Sequence, residues 1–400
     1  MPGVLEQIAV ILVAGIVLKT FADRIKFPAI VLFVLGGTLL ATYGILDMSA
    51  FESIPRLVRE IALIIVVFSS AFHLRMEEIA KQSRNILWLS SFGVLLTALI
   101  IAFFTLQMLP IGILSAAFLG VLLCGTDPAA ISSGPQRKSK ILTILSAESL
   151  FNQPLTVILP LLLLDFVTKP EMAWINVPKF FSLIIVGAVV GVVSAYAGQK
   201  ILKRAEGKHE EIVGLMIAIG SYVLAELLFG SGILAVAICS VLLTSSNIPE
   251  KAWLGHFNKE LAFLFTVFVF IMLGAEFTIE NLFFTRLEIF AIIVALIAAR
   301  LIAAFIALFR SDLNVGEILR IGLIAPKGMG PAALAPLLLL YPAAIAPTTA
   351  GFIVKIVYLA IIVSVLFSLI AMSLFVAKPS EEELIKEALE EKKRIERGVA

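Results

Sequence analysis

Asp127 and Pro128 stand side by side in "CGTDPAAISSG", Cys124 to Gly134, inside a long apolar run. A carboxylate is costly in hydrocarbon and proline removes a backbone donor, so neither residue belongs in an ordinary membrane helix. The same anomaly recurs in "APKGMGPAALAP", Ala325 to Pro336, which carries Lys327. A third polar stretch, "SAESLFNQPLTV", spaces Glu148 and Asn152 four residues apart, and Ser149 and Gln153 likewise, so each pair shares a helix face. Glu148 needs a partner in such surroundings, and Arg300 in "LIAARLIAA" is the expected one, because a buried arginine–carboxylate pair is the usual way such charges are tolerated. Together these side chains offer titratable groups (Asp127, Lys327) and neutral oxygens (Thr126, Ser149, Asn152, Gln153), which suits binding a small charged or polar solute and moving protons.

The elements that position them are membrane helices. The 400-residue chain is 60% hydrophobic and 15% charged, against about 25% charged for a soluble domain, and its mean hydropathy is +1.06. The spacing predicts an all-α polytopic membrane protein with about 13 spans, at 5–22, 28–47, 58–76, 85–109, 112–134, 141–166, 178–202, 210–229, 231–246, 259–277, 287–309, 316–340 and 348–377. The first apolar segment lacks a basic lead and a small-residue cleavage site, so it reads as a span rather than a signal peptide. Cys124 and Cys239 read as small buried residues, with no metal-ligand pattern around them. A net charge of +2, with the basic residues scattered in short loops, gives no support for nucleic-acid binding. No cofactor, nucleotide-phosphate, metalloprotease or serine–histidine motif is present, so an enzyme is not expected.

Loop charge sets orientation. Lys19, Arg24 and Lys26, then Arg75, Lys81 and Arg84, then Arg137, Lys138 and Lys140, then Lys200, Lys203, Arg204 and Lys208 follow the odd-numbered spans. The loops "LPIG", "FGSG" and "YPAAIAPTT" carry no basic residue. The positive side faces the cytoplasm, which places the N-terminus outside and the C-terminus inside a multi-pass cell-membrane protein. The tail, 378–400, is then cytosolic; Leu384, Ile385, Ala388 and Leu389 make a short apolar stripe that reads as part of a solvated end helix. Of the remaining polar residues, Glu226 and Lys355 lie near span ends and read as solvated and snorkelling, and His73 as a helix-edge residue.

The two interrupted spans are the fifth and the twelfth. An offset of seven spans gives them opposite orientation, the mark of an inverted-topology repeat whose broken helices meet at a midplane binding site. Crossing the two breaks, at about Thr126–Asp127 and Lys327–Gly330, would put Asp127 among positive helix N-termini and Lys327 among negative C-termini.

These segments resemble the monovalent cation:proton antiporters, in particular the archaeal and bacterial sodium/proton exchanger branch. "GTDPAA" is similar to that family's motif in the unwound fifth helix, and "ESLFN" followed by Gln153 and Pro154 to its ESLFND motif in the sixth. "ARLIA" around Arg300 and "APKGMGPAALA" resemble its arginine-bearing segments in the eleventh and twelfth. The resemblance implies core helices at about 85–166 and 287–377, scaffold and dimer helices at about 5–76 and 178–277, a homodimer, and exchange of Na+, K+ or Li+ for protons by an elevator movement. It also assigns Thr126, Asp127, Ser149, Asn152 and Gln153 to the ion site, with Glu148, Arg300 and Lys327 as its structural charges.

Three departures stand out. Gln153 replaces the family's cation-binding aspartate, Ser69 in "FSSAF" stands where the family often has a glutamate, and Lys327 replaces an arginine. A carboxamide supplies one neutral oxygen and cannot titrate, so coupling is expected to be altered or weakened. Two other readings stay open at this stage: the same fold carrying a neutral or anionic solute, and a transport-silent sensor or inactivated form.

Overall fold

Segments this apolar cannot leave backbone polar groups unpaired in a bilayer, and helices satisfy them internally. A computed structural model describes residues 4–25, 27–47, 55–70, 76–127, 140–168, 173–204, 210–244, 251–279, 284–342 and 345–375, and among them there is no strand. The helices are α1 (Val4–Ile25), α2 (Ala29–Thr42), α3 (Pro55–Ser70), α4 (Met76–Lys81), α5 (Ser83–Trp88), α6 (Val94–Met108), α7 (Ile113–Leu123), α8 (Lys140–Thr168), α9 (Ala173–Arg204), α10 (Glu210–Leu227), α11 (Gly232–Thr244), α12 (Lys251–Ala275), α13 (Arg286–Leu308), α14 (Val315–Leu323), α15 (Met329–Leu334) and α16 (Pro347–Phe375). A π-helical turn, Leu89–Gly93, joins α5 to α6, and a 3-10 stretch, Ala335–Leu340, extends α15.

Seven of the described helices are long and apolar enough to cross a bilayer, and six shorter apolar helices accompany them. Each of the thirteen matches one expected span. The outward faces carry Val13, Ile16, Leu99, Phe103, Ile185 and Met216, all more than half exposed, as lipid-facing surfaces require. By contrast Glu148, Asn152, Arg300 and Lys327 are 0–1% exposed. This is the reverse of a soluble protein's arrangement.

Helix packing forms two groups. In one, α2 packs on α12 with α1 beside them, α3 packs on α11 and α12, and α9, α10 and α11 pack on one another. The α2–α12 contact is close because Gly37 and Gly274 face the partner backbone; a Cβ at either would overlap the carbonyl of Ile271 or Val34. In the other group α6 packs on α7 and α13, and α13 packs on α14 and α16. Helices α8, α15 and α16 touch both groups. One polar tie links them: the hydroxyls of Thr38 on α2 and Tyr358 on α16 lie 2.9 Å apart, and Thr38 also donates to the Gly274 carbonyl at 2.9 Å.

The breaks fall close to the expected places. The fifth span is helical only to Leu123, and Gly125–Asp127 are non-helical; Pro128 and the rest of that span lie outside the described residues. The twelfth span is unwound over Ile324–Gly328 and helical again from Met329. The break therefore begins before the expected Lys327–Gly330. The reason is that Pro326 has no N–H for a continuing helix and disfavours helical backbone at Ala325, whereas Pro331 falls in the first turn of α15, where its missing N–H costs nothing. Pro154 and Pro160, by contrast, are accommodated inside the continuous α8. The short α4 was not anticipated as a separate element. His73 and the tail lie outside the described residues.

Candidate functional site

The two unwound segments cross and hold each other through backbone and charged groups. The Asp127 N–H donates to the Pro326 carbonyl at 2.9 Å. The Asp127 carboxylate accepts from the Met329 N–H at 2.8 Å, at the start of α15. Lys327 Nζ donates to the Gly125 carbonyl at 2.8 Å, just past the end of α7. Each charge thus sits at the helix end of opposite partial charge, as the macrodipole favours. Gly328 is required here because a Cβ would overlap the side chain of Asp127.

The unwound strap has freed backbone donors that need acceptors in a dry interior. α16 supplies them. Ser364 Oγ accepts from the Lys327 N–H at 2.9 Å, and Ser368 Oγ accepts from the Ala325 N–H at 3.1 Å. Sequence reasoning missed both serines. Their spacing of four residues on one face of an apolar span was the available signal.

The third component comes from α8 and α13. Arg300 grips Glu148 with both ends of its guanidinium, Nη1 to Oε1 at 2.9 Å and Nη2 to Oε2 at 2.6 Å. The expected pair is present and buried. Asn152 Nδ2 donates to Glu148 Oε1 and to Thr126 Oγ1, both at 3.1 Å. A carboxylate only accepts, so the amide must turn its nitrogen toward Glu148 and its oxygen away. Among the described residues, Asn152 Oδ1 and its neighbour Gln153 Oε1 are buried oxygens with no hydrogen-bond partner. Ser149 and Gln153, 2% and 5% exposed, complete this face of α8. Thr156, one turn on, lies against Gly125 and Gly330 and so joins α8 to the first break and to the start of α15.

Arg300 Nε also has no partner among the described residues; Arg300, Ser364 and Ser368 line a cavity of about 20 Å³, room for about one water. No group of three or more metal-ligating side chains occurs among the described residues.

Elsewhere, one reading changes and one gains a partner. Lys355 does not snorkel: its ammonium is 3.2 Å from Glu288 and lies over the Phe284 ring, 5.1 Å from the centroid. Glu226 is exposed, as its place near a span end implies, and its carboxylate also accepts from the Gly232 N–H at 2.9 Å, capping α11. Ser69 is buried in α3, 5% exposed, with Phe68 beside it; the end of "FSSAF" lies outside the described residues.

Comparison with known proteins follows the same lines. The chain is 26% identical over 354 residues to probable Na(+)/H(+) antiporter 2 of Methanocaldococcus jannaschii, covering 83% of each. It is 24% identical over 338 residues to the K(+)/H(+) antiporter NhaP of Alkalimonas amylolytica, covering 82% of this chain and 59% of that one. Among solved structures, the sodium proton antiporter MjNhaP1 from Methanocaldococcus jannaschii matches the fold with a TM-score of 0.79 at 24% identity, over 92% of this chain and 97% of that one. The model of the transmembrane sodium/hydrogen exchanger family matches residues 8–378, and the chain belongs to that family.

Proposed function

We propose that this chain exchanges a monovalent cation, Na+, K+ or Li+, for protons, and that the cation binds beside the crossed helices among Thr126, Asp127, Ser149, Asn152 and Gln153. One observation carries the reading: the buried carboxamide oxygens of two consecutive residues of α8, Asn152 Oδ1 and Gln153 Oε1, lack any partner among the described residues. Buried acceptors left unpaired are costly, and a bare cation is what such oxygens satisfy. The family to which the chain belongs, and relatives whose names include Na(+)/H(+) and K(+)/H(+) antiporters, support the same class of solute.

The charges define what each group can do. Glu148 is held at both oxygens by Arg300, so it shapes the site. Asp127 supplies negative charge at the crossing and Lys327 supplies a proton-carrying nitrogen. A cation arriving near Lys327 repels its ammonium proton, which couples the two movements. Gln153 gives one neutral oxygen, so cation binding is weak and exchange slow. The helix group containing α6–α8 and α13–α16 acts as a mobile core and the group containing α1–α3 and α9–α12 as the scaffold of a homodimer. The core moves elevator-fashion in the cell membrane, with the basic loops and the C-terminus on the cytoplasmic side.

An anionic solute fits less well. The ends of the Arg300 guanidinium are taken by Glu148, Lys327 already donates to the Gly125 carbonyl, and the cavity that Arg300 lines holds only about 20 Å³. Thermal melting in detergent at constant ionic strength tests the site, since a ligand that binds only the folded state raises its stability. At high concentration, Na+, K+ or Li+ should raise the midpoint above that in choline, and Thr126→Val combined with Asn152→Ala should remove the increment. Equal midpoints in all four cations would overturn the proposal.

A further inference from the structure

A cavity of about 200 Å³ opens at the basic end of the protein, between α5 and the last turn of α13 with the residues that follow it. Arg84 and Trp88 line one side, and Ile306, Phe309, Arg310 and Ser311 the other. We propose that this cavity binds the phosphate of an anionic phospholipid headgroup. The site is separate from the crossed helices and does not depend on what the protein transports.

Charge is the first argument. Neither Arg84 nor Arg310 forms an ion pair among the described side chains. Asp312, two residues beyond Arg310, is already engaged: Asn85 Nδ2 donates to its carboxylate at 3.2 Å and Lys140 Nζ at 3.4 Å. Both arginine forks are therefore available, and a guanidinium matches phosphate oxygens in a bidentate fashion. Ser311 Oγ accepts from the Leu313 N–H at 3.3 Å, which leaves its hydroxyl proton to donate. α5 begins at Ser83 and continues through the π turn into α6, so its N-terminal dipole adds to the same field.

The rim is the second argument, and it separates a lipid from a free anion. Phe309 is 82% exposed, Trp88 52% and Ile306 51%. Large apolar side chains grouped around two arginines suit the boundary between acyl chains and headgroups, where tryptophan is enriched. A soluble phosphate would use the arginines and leave this rim wet. A lipid uses both, its phosphate in the cavity and its first methylenes along Ile306 and Phe309. Two unpaired guanidinium groups favour a net-negative headgroup over phosphatidylcholine, whose quaternary ammonium they would repel.

The test uses the full-length protein in detergent, with native mass spectrometry to read bound lipid and thermal melting to read stabilisation. Phosphatidylglycerol, phosphatidylcholine and inorganic phosphate are added in separate arms. Phosphatidylglycerol should bind and raise the melting midpoint, phosphatidylcholine much less, and inorganic phosphate should leave the midpoint unmoved. Arg84→Gln with Arg310→Gln should weaken phosphatidylglycerol binding about 30-fold, from two basic side chains at the membrane surface. Arg84→Lys with Arg310→Lys should fall between, keeping charge but losing the fork. Lys200→Gln, an exposed basic residue at the end of α9, should bind as the unaltered protein does. Undiminished phosphatidylglycerol binding by the Gln pair, or equal binding of phosphatidylcholine, would overturn the proposal. A midpoint raised equally by inorganic phosphate would overturn the lipid assignment in favour of a soluble anion.

Discussion

Replacing Arg300 with alanine should cost the fold about 3–5 kcal/mol, the usual penalty for leaving one member of a buried ion pair without its partner. The structure supports that size. Glu148 is fully buried and loses two charge-assisted hydrogen bonds, at 2.9 and 2.6 Å, keeping among those described only the one from Asn152 Nδ2 at 3.1 Å. At about 1.5–3 kcal/mol for each bond to a charged group, two of them give roughly the same total. Glu148→Ala should cost a comparable amount, because it strands the guanidinium instead. The double variant should cost clearly less than the sum of the two, since neither charge then remains unpaired. The assay is a double-mutant cycle on unfolding in detergent, scored by melting midpoint and denaturant midpoint. Losses that add to within about 0.5 kcal/mol would show that the two residues do not act as a pair and would refute the reasoning.

Other consequences are equally specific. Gly328→Ala places a Cβ 2.6 and 2.7 Å from Cβ and Cγ of Asp127, an overpacking expected to cost about 1–3 kcal/mol; a variant that melts like the unaltered protein would argue against the crossing. Ser364→Ala leaves the buried Lys327 N–H without its acceptor, an expected loss of about 1–3 kcal/mol, whereas Ser364→Thr should retain most of the stability. In the loop after α13, the hydrogen bond from Asn85, with smaller help from Lys140, holds the Asp312 carboxyl below its usual value. A depressed pKa contributes stability above the unfolded-state value and loses it as pH falls through the folded one. A site-resolved titration should therefore show Asp312 protonating at lower pH than in Asn85→Ala, with little effect on melting because the side chain is mostly exposed.

The legible parts of this protein were those where a residue type conflicts with its surroundings. Asp127, Glu148, Arg300 and Lys327 are each costly in an apolar run, and that cost announces both their importance and the need for partners. The breaks were legible for the same reason, from proline and glycine at matched positions. Ser364 and Ser368 were not, because a serine in an apolar helix ordinarily bonds to its own preceding turn and demands no explanation. Lys355 was misread because its partner Glu288 stands near the start of a different span, and sequence spacing says nothing of contacts between spans. The packing of α8 and α15 against both helix groups was equally hidden, since it depends on how the spans assemble rather than on any one of them.

The role of Gln153 is tested most directly by proton flux into proteoliposomes driven by a sodium or potassium gradient, comparing the unaltered chain with Gln153→Asp at several pH values. Thr126, Ser149, Asn152 and Gln153 are all buried, and Asn152 already bonds to Thr126. What is absent is a negative charge to offset cation desolvation and to take the competing proton. Gln153→Asp supplies both, so exchange should rise at least about tenfold over the unaltered chain, a change worth about 1.4 kcal/mol in the barrier. Robust exchange by the unaltered chain, with no gain in Gln153→Asp, would contradict the assignment and place the exchanging carboxylate at Asp127 instead.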